Sequence, residues 1–270
     1  MLKFAYTVAT PDVKSNTLKA YCGPLELSLQ TLADLGYAGV ELMVRSPQEI
    51  DSAQVEHLLS KHNLSIPVVG TGQLEREDNL SMTDPAAEGR QSAVSRLKEV
   101  VDFAGRFGAR VNLGRVRGRI VTGIPSAVST DRMKASLLQV LDYAAQRNVE
   151  LIIEPQNKSI INWVNTVSEA LNFIAEVGHP GLGTMVDTYH ANIEERSISG
   201  ALVRARHLLW YVHVADSNGC APGKGHLNFP EILDVLKAIE YDGFITVEVS
   251  QVPDHRTAAK QAIDYLTVIT

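Results

Sequence analysis

The sequence predicts an α/β protein built as a single (β/α)8 (TIM) barrel over residues 1–270, and three observations lead there. Eight short β-rich runs alternate strictly with stretches of helical periodicity, and such alternation implies a parallel sheet. Eight strand–helix units fit a closed barrel, which takes about 250 residues. No composition break or linker divides the chain, so one domain accounts for all of it. A doubly wound open sheet is the competing arrangement. It has little support, because no Gly-x-Gly-x-x-Gly turn follows the first strand.

The elements follow in order. Lys3–Val8 is a β-rich run, followed by a loop with Pro11 and Asn16. From Pro24 to Leu35, Leu25, Leu29, Leu32 and Leu35 recur at helical spacing, and Gly36 ends the helix. Gly39–Val44 is a strand, and Asp51–His62 a helix with Val55, Leu58 and Leu59 on one face. Ile66–Gly70 is the third strand, leading into Thr71-Gly72-Gln73, where the segment through Asn79 reads as a lid hinged at Gly72. A helix over Pro85–Phe107 has a good Pro start, and Arg110–Gly114 is the fourth strand. Then come helix Asp131–Arg147, strand Glu150–Glu154, helix Thr166–Val177 and strand Leu182–Asp187. Helix Ile198–His207, strand Trp210–Val214, helix Pro230–Glu240, strand Phe244–Glu248 and helix His255–Ile269 complete the series.

Bulk properties narrow the function classes. Hydrophobic content of 45% and charged content of 21% are those of a soluble globular protein. A net charge of -6 argues against nucleic acid as a partner. No window approaches the roughly 20 apolar residues of a membrane span. Met1-Leu2-Lys3-Phe4 runs straight into a strand with no signal-like apolar region. Two distant cysteines, Cys22 and Cys220, suit a reduced, cytoplasmic setting.

The chemistry is concentrated where four consecutive strands end. Glu154, Asp187, His213 and Glu248 close strands five to eight. In a barrel these ends aim at one point on the active face. A carboxylate at the exit of an apolar strand is costly to bury unless it is paired or metal-bound. One such residue is ordinarily a solvated loop group, and a lone histidine is ordinarily a satisfied core residue. Four at successive strand ends call for a common cause. Three carboxylates and an imidazole suit a hard or borderline divalent cation, with Mn2+ the first expectation and Mg2+, Co2+ or Zn2+ as alternatives.

Three segments also carry a family resemblance: Ile153–Asn157, Asp187–Glu195, and His213–Asn218 with Ala221–His226. Through them, and along nearly the whole chain, the sequence resembles the divalent-metal sugar isomerase/epimerase superfamily with xylose-isomerase-like barrels. The likeness is greatest to ketose 3-epimerases such as D-tagatose 3-epimerase. The family's metal ligands fall on Glu154, Asp187, His213 and Glu248, the set already reached from the strand ends. Gly70–Gln73 and Val116–Arg119 resemble the branch acting on keto-sugar acids. The resemblance also implies a homodimer or homotetramer.

What this implies chemically is proton transfer beside a carbonyl. A metal chelated by the carbonyl and adjacent hydroxyl oxygens stabilises the enediolate. Glu154 and Glu248, on opposite faces of that flat intermediate, are the expected acid/base pair. His190 is expected to bond a substrate oxygen, with Glu41 and Gln73 lining the other side of the pocket. Among Arg115, Arg117 and Arg119, Arg117 is the expected holder of a substrate carboxylate or phosphate, with Lys224 as another cation near the site. Trp163 and Trp210 read as packing rather than as sugar platforms, with Trp163 the better candidate of the two for the pocket rim.

Two positions depart from the family pattern. Six residues after Glu154 the epimerases carry a second Glu, where this chain has Ile160; six after His213 they carry an Arg, where it has Gly219. The general mechanism therefore transfers better than the substrate does. The expectation is a metal-dependent isomerase or epimerase of a small ketose or keto-sugar acid. A dehydratase or lyase on the same metal core and a non-catalytic sugar-binding relative are the alternatives. A phosphodiester-cleaving endonuclease would need more metal ligands and a basic groove.

Overall fold

A computed structural model describes residues 2–270; Met1, where the N-terminal reading starts, lies outside the described residues. Eight parallel strands close into a barrel in sequence order. They are β1 (Lys3–Ala9), β2 (Gly39–Met43), β3 (Val68–Gly70), β4 (Arg110–Asn112), β5 (Leu151–Ile153), β6 (Leu182–Asp187), β7 (Leu209–Val214) and β8 (Phe244–Val247). Closure is direct: Lys3 to Tyr6 of β1 pair with Phe244 to Val247 of β8. No helix among the described residues is long and apolar enough to cross a membrane.

Among the described residues, ten α-helices surround or cap the barrel: α1 (Leu25–Asp34), α2 (Ser52–His62), α3 (Gly72–Asp78), α4 (Ala87–Arg106), α5 (Ser126–Ala145), α6 (Val167–Val177), α7 (Thr188–Glu194), α8 (Ile198–Ala205), α9 (Phe229–Ala238) and α10 (His255–Val268). Their starts follow from sequence chemistry. Asp51, Thr166, Asn228 and Asp254 each accept a hydrogen bond from a first-turn N–H of α2, α6, α9 and α10. Behind these caps the apolar stripes, such as Leu25, Leu29 and Leu32 on α1, bury against the outer faces of the strands.

Several strand ends shift by one or two residues, Glu154 and Glu248 falling just past β5 and β8, and the larger differences from the sequence reading are two helices and one helix start. The expected lid is the regular helix α3, anchored by fully buried Leu74 and by Thr71 Oγ1 donating to the Asn112 carbonyl. The run after Asp187 is the short helix α7, too polar to show an apolar stripe. Helix α5 begins at Ser126, five residues before the expected start, with Pro125 preceding it.

Inside the barrel, side-chain alternation sorts the strand residues into layers. Val68, Ile152, Met185 and Tyr211 form an apolar plug in the lower half. Tyr211 shares a hydroxyl hydrogen bond with Thr246. Two residues further along their strands, and so pointing the same way, Ile152, Met185, Tyr211 and Thr246 give way to Glu154, Asp187, His213 and Glu248. The apolar plug is the floor beneath the polar layer.

Candidate metal centre and active site

The four strand-end residues come together. Glu154, Asp187, His213 and Glu248 each offer one ligand atom, and all four atoms lie within 4.8 Å of one another. His213 Nδ1 stands 3.5 Å from Glu248 Oε2, 3.8 Å from Asp187 Oδ2 and 4.0 Å from Glu154 Oε1. The pairing of Asp187 with His213 in neighbouring strands sets the centre of the group.

On Asp187, Glu154 and His213 the atom turned away from the cluster has a defined occupation. Asp187 Oδ1 accepts the His190 N–H at 2.9 Å as the N-cap of α7, so Oδ2 alone faces the cluster. Glu154 Oε2 accepts from Gln156 Nε2 at 2.9 Å and Asn112 Nδ2 at 3.2 Å, which turns Oε1 toward the others. His213 Nε2 meets Glu41 Oε2 at 2.6 Å, with both residues buried. A carboxylate there accepts the Nε2 proton and leaves the Nδ1 lone pair aimed at the cluster.

Those three inward atoms, Glu154 Oε1, Asp187 Oδ2 and His213 Nδ1, are buried without a hydrogen-bond partner. Groups so placed are costly unless something else satisfies them. The electrostatics agree. Burial first, and then the charge of Glu248, push the Glu154 carboxyl above its ordinary range. Burial would raise Glu248 as well, but contact with His213 outweighs it and carries Glu248 down. The O,O,N,O donor set suits a divalent cation. The site fits a metal on both geometric and electrostatic grounds.

Above this floor opens a cavity of about 520 Å³, bounded by the loop after β1, by α3 and by the ends of β2 to β5 and β8. Glu154, Glu248 and His190 all reach it. His190 Nδ1 meets the Asn157 amide Nδ2 at 2.8 Å. The amide is the donor, so Nε2 carries the ring proton, 3.9 Å from Glu154 Oε1. Burial lowers the His190 pKa, which keeps the ring neutral with that N–H free to donate. Glu41 and Gln73 also line the cavity, as expected. Glu41, however, is committed through Oε2 to His213, and Gln73 Nε2 donates to Glu77 Oε1 at 2.8 Å.

Two sequence expectations are corrected. Arg117 does not reach the cavity. It is fully buried and donates to the carbonyls of Gly114, Glu154, Trp163 and Val164; burial drags its pKa down to about 10. Its work is to tie the turn after β4 to the strand end that carries Glu154. Lys224 stands exposed in the loop after β7, away from the cavity lining. Trp163 packs edge-on against Phe173, donates Nε1–H to the Gly118 carbonyl and does not line the cavity. Of the neighbouring arginines, Arg115 lines the cavity but is paired with Glu75 at 3.0 Å.

Sequence reasoning missed Asn112, Gln156, Asn157 and Lys19. Gln156 lies two residues past Glu154 and Asn112 at the last position of β4, so strand alternation could have flagged both. Nothing local marks Asn157 or Lys19, which sit in irregular loops.

Comparison with known proteins agrees with this architecture. An L-ribulose 3-epimerase from Methylomonas sp. (strain DH-1) is 29% identical over 218 residues, covering 80% of this chain and 75% of that protein. A 3-dehydro-D-guloside 4-epimerase from Escherichia coli K12 is 34% identical over 126 residues, 46% of this chain and 48% of that one. The crystal structure of a D-allulose 3-epimerase from Methylomonas sp. in complex with D-allulose matches with a TM-score of 0.83 at 23% identity, covering 100% of this chain and 97% of its own. Residues 29–268 match the family described as "Xylose isomerase-like TIM barrel", and the chain belongs to that family.

Proposed function

We propose that this chain is a divalent-metal-dependent epimerase or isomerase of a small ketose or keto-sugar acid. The observation that carries the reading is the set of inward, unpartnered atoms of Glu154, Asp187 and His213, joined by Glu248 at the floor of a sugar-sized cavity. The relatives' names cover epimerisation of ketoses at C3 and of a 3-keto sugar at C4. Both reactions remove and return a proton on a carbon beside a ketone, which is the chemistry this cavity suits.

Glu154, Asp187, His213 and Glu248 would hold the cation, Mn2+ for preference, which supplies a Lewis acid beside the sugar carbonyl. Glu154 and Glu248 reach the cavity from the ends of β5 and β8. One takes the proton from carbon and the other delivers a proton to the opposite face of the enediolate. Glu248 has the more open carboxylate, its side chain 17% exposed. Glu154 is held by Asn112 and Gln156, so its position changes little through the reaction. His190 Nε2–H is free to bind a substrate oxygen. The free thiols of Cys22 and Cys220 accord with a cytoplasmic setting.

The test is exchange of the carbon-bound proton in D2O, followed by NMR over a panel of keto sugars with the Mn2+-loaded protein. We expect exchange that is abolished by chelator and by Glu248→Gln, with a product whose mass differs from the substrate only by the exchanged deuterium. Exchange that survives both treatments refutes the mechanism, and a product lighter by one water marks a dehydratase instead.

A further inference from the structure

The loop after β1 folds back over the barrel mouth. Ala9 N–H donates to the Tyr21 carbonyl and Tyr21 N–H to the Thr7 carbonyl, while Thr7 Oγ1 donates to the Lys19 carbonyl at 2.6 Å. This path brings Lys19 to the cavity wall, half-buried. Its ammonium lies over the Tyr189 ring, 4.1 Å from the centroid. Tyr189 precedes His190 on α7, so the ammonium stands beside the substrate-facing histidine. Gly219 stands near the same ring, where a Cβ would come to 3.7 Å from Tyr189.

Arg76 of α3 lines the same cavity and leans toward the same loop, with Nη2 3.4 Å from the Thr17 carbonyl and 3.5 Å from Thr17 Oγ1. Neither Lys19 nor Arg76 has a carboxylate partner among the described residues. Arg115, the remaining cavity guanidinium, is already neutralised by Glu75. The acidic groups on the cavity floor are committed elsewhere: Glu41 to His213, and Glu154 and Glu248 to the metal cluster. Two cations thus face the cavity mouth with neither engaged in an ion pair among the described residues. A half-buried ammonium held by one aromatic ring is well placed to take a charge-assisted hydrogen bond.

Resting on the function proposed above, we infer that Lys19, with Arg76 beside it, forms an anion subsite, and that the substrate is a small keto sugar bearing a carboxylate or a phosphate. The sequence reading sought that cation on the loops after β4 and β7; the loop after β1 and helix α3 supply it.

The experiment uses the Mn2+-loaded protein and measures proton exchange in D2O for D-fructose and D-tagatose, each beside its 6-phosphate and its C6 carboxylic acid. Wild type is expected to favour one charged form over the neutral ketose by about 10- to 100-fold in kcat/KM, the range of one charge-assisted bond. Whichever charged form carries the preference identifies the anion. Lys19→Met should bring the charged-to-neutral ratio toward one, mainly through KM, and Lys19→Arg should retain most of it. A lysine that only balances Glu248 would change every substrate alike, so a ratio unaltered in Lys19→Met overturns the subsite. A wild-type ratio near one also overturns it, while leaving the epimerase reading standing. No exchange with any compound overturns the epimerase reading, and the subsite with it.

Discussion

Glu41 offers a sharp test of how the metal centre is built. Its Oε2 lies 2.6 Å from His213 Nε2, and both side chains are almost wholly removed from water. Replacing Glu41 with Gln keeps the size and an acceptor oxygen but removes the charge that makes His213 Nδ1 a stronger donor to metal. Loss of such an outer partner typically lowers metal affinity by about 10- to 100-fold, or about 1.4–2.7 kcal/mol. Glu41→Ala also leaves the Nε2 proton buried without an acceptor, adding a penalty of about 1–3 kcal/mol. The order of affinity should therefore be wild type, then Glu41→Gln, then Glu41→Ala. Isothermal titration with MnCl2 gives the affinities, and circular dichroism confirms that each variant is folded. A folded Glu41→Gln that binds Mn2+ as tightly as wild type would refute the reasoning, because His213 would then need no anchor.

Two further perturbations probe the frame around the site. Arg117→Met strips the donors from four carbonyls, three of them in buried bonds, and should cost at least about 3 kcal/mol in urea unfolding; a loss below about 1 kcal/mol would show that the loops hold themselves. Asp216 organises the loop after β7, its carboxylate accepting from the N–H groups of Ser217 at 2.8 Å, Gly223 at 2.8 Å and Leu227 at 3.1 Å. Burial works against that charge, but the backbone donors outweigh it and hold the Asp216 pKa below its ordinary value. Because the folded pKa is depressed, its stabilisation is present above the ordinary aspartate pKa of about 3.9 and is lost as pH falls through the folded value. Asp216→Asn should therefore lower Tm at pH 7 and flatten its dependence on pH in the acid range; parallel Tm–pH curves for the two proteins would contradict this.

Much of the molecule was legible from residue order, for physical reasons that particular residues make plain. Asp187 and His213 end strands that are consecutive in sequence, and consecutive parallel strands of a closed barrel are neighbours. Period-two alternation then points Asp187 the same way as Met185, and His213 the same way as Tyr211. The convergence of the four groups therefore needed only local pattern and chain order. Helix starts were equally readable at Asp51, Thr166 and Asp254, where a short polar side chain caps the first turn.

Other features depend on parts of the chain that meet only after folding. The sequence placed Glu41 at a strand end facing the pocket, but its partner His213 lies 172 residues away. Arg117 reads as a free cation beside two others, yet the turn after β4 buries it among carbonyls from β5 and the loop beyond, and no local pattern records that. Lys19 sits in an irregular loop whose path is set by hydrogen bonds back to β1, and its ring partner Tyr189 belongs to the opposite side of the mouth. Residue order alone thus determined the barrel and the four groups that converge on its axis, because strand period and strand adjacency are properties of the local chain. Which groups orient those four, and which cations stand at the mouth, only the tertiary structure decided, because loop paths and buried partners are set by contacts between distant segments.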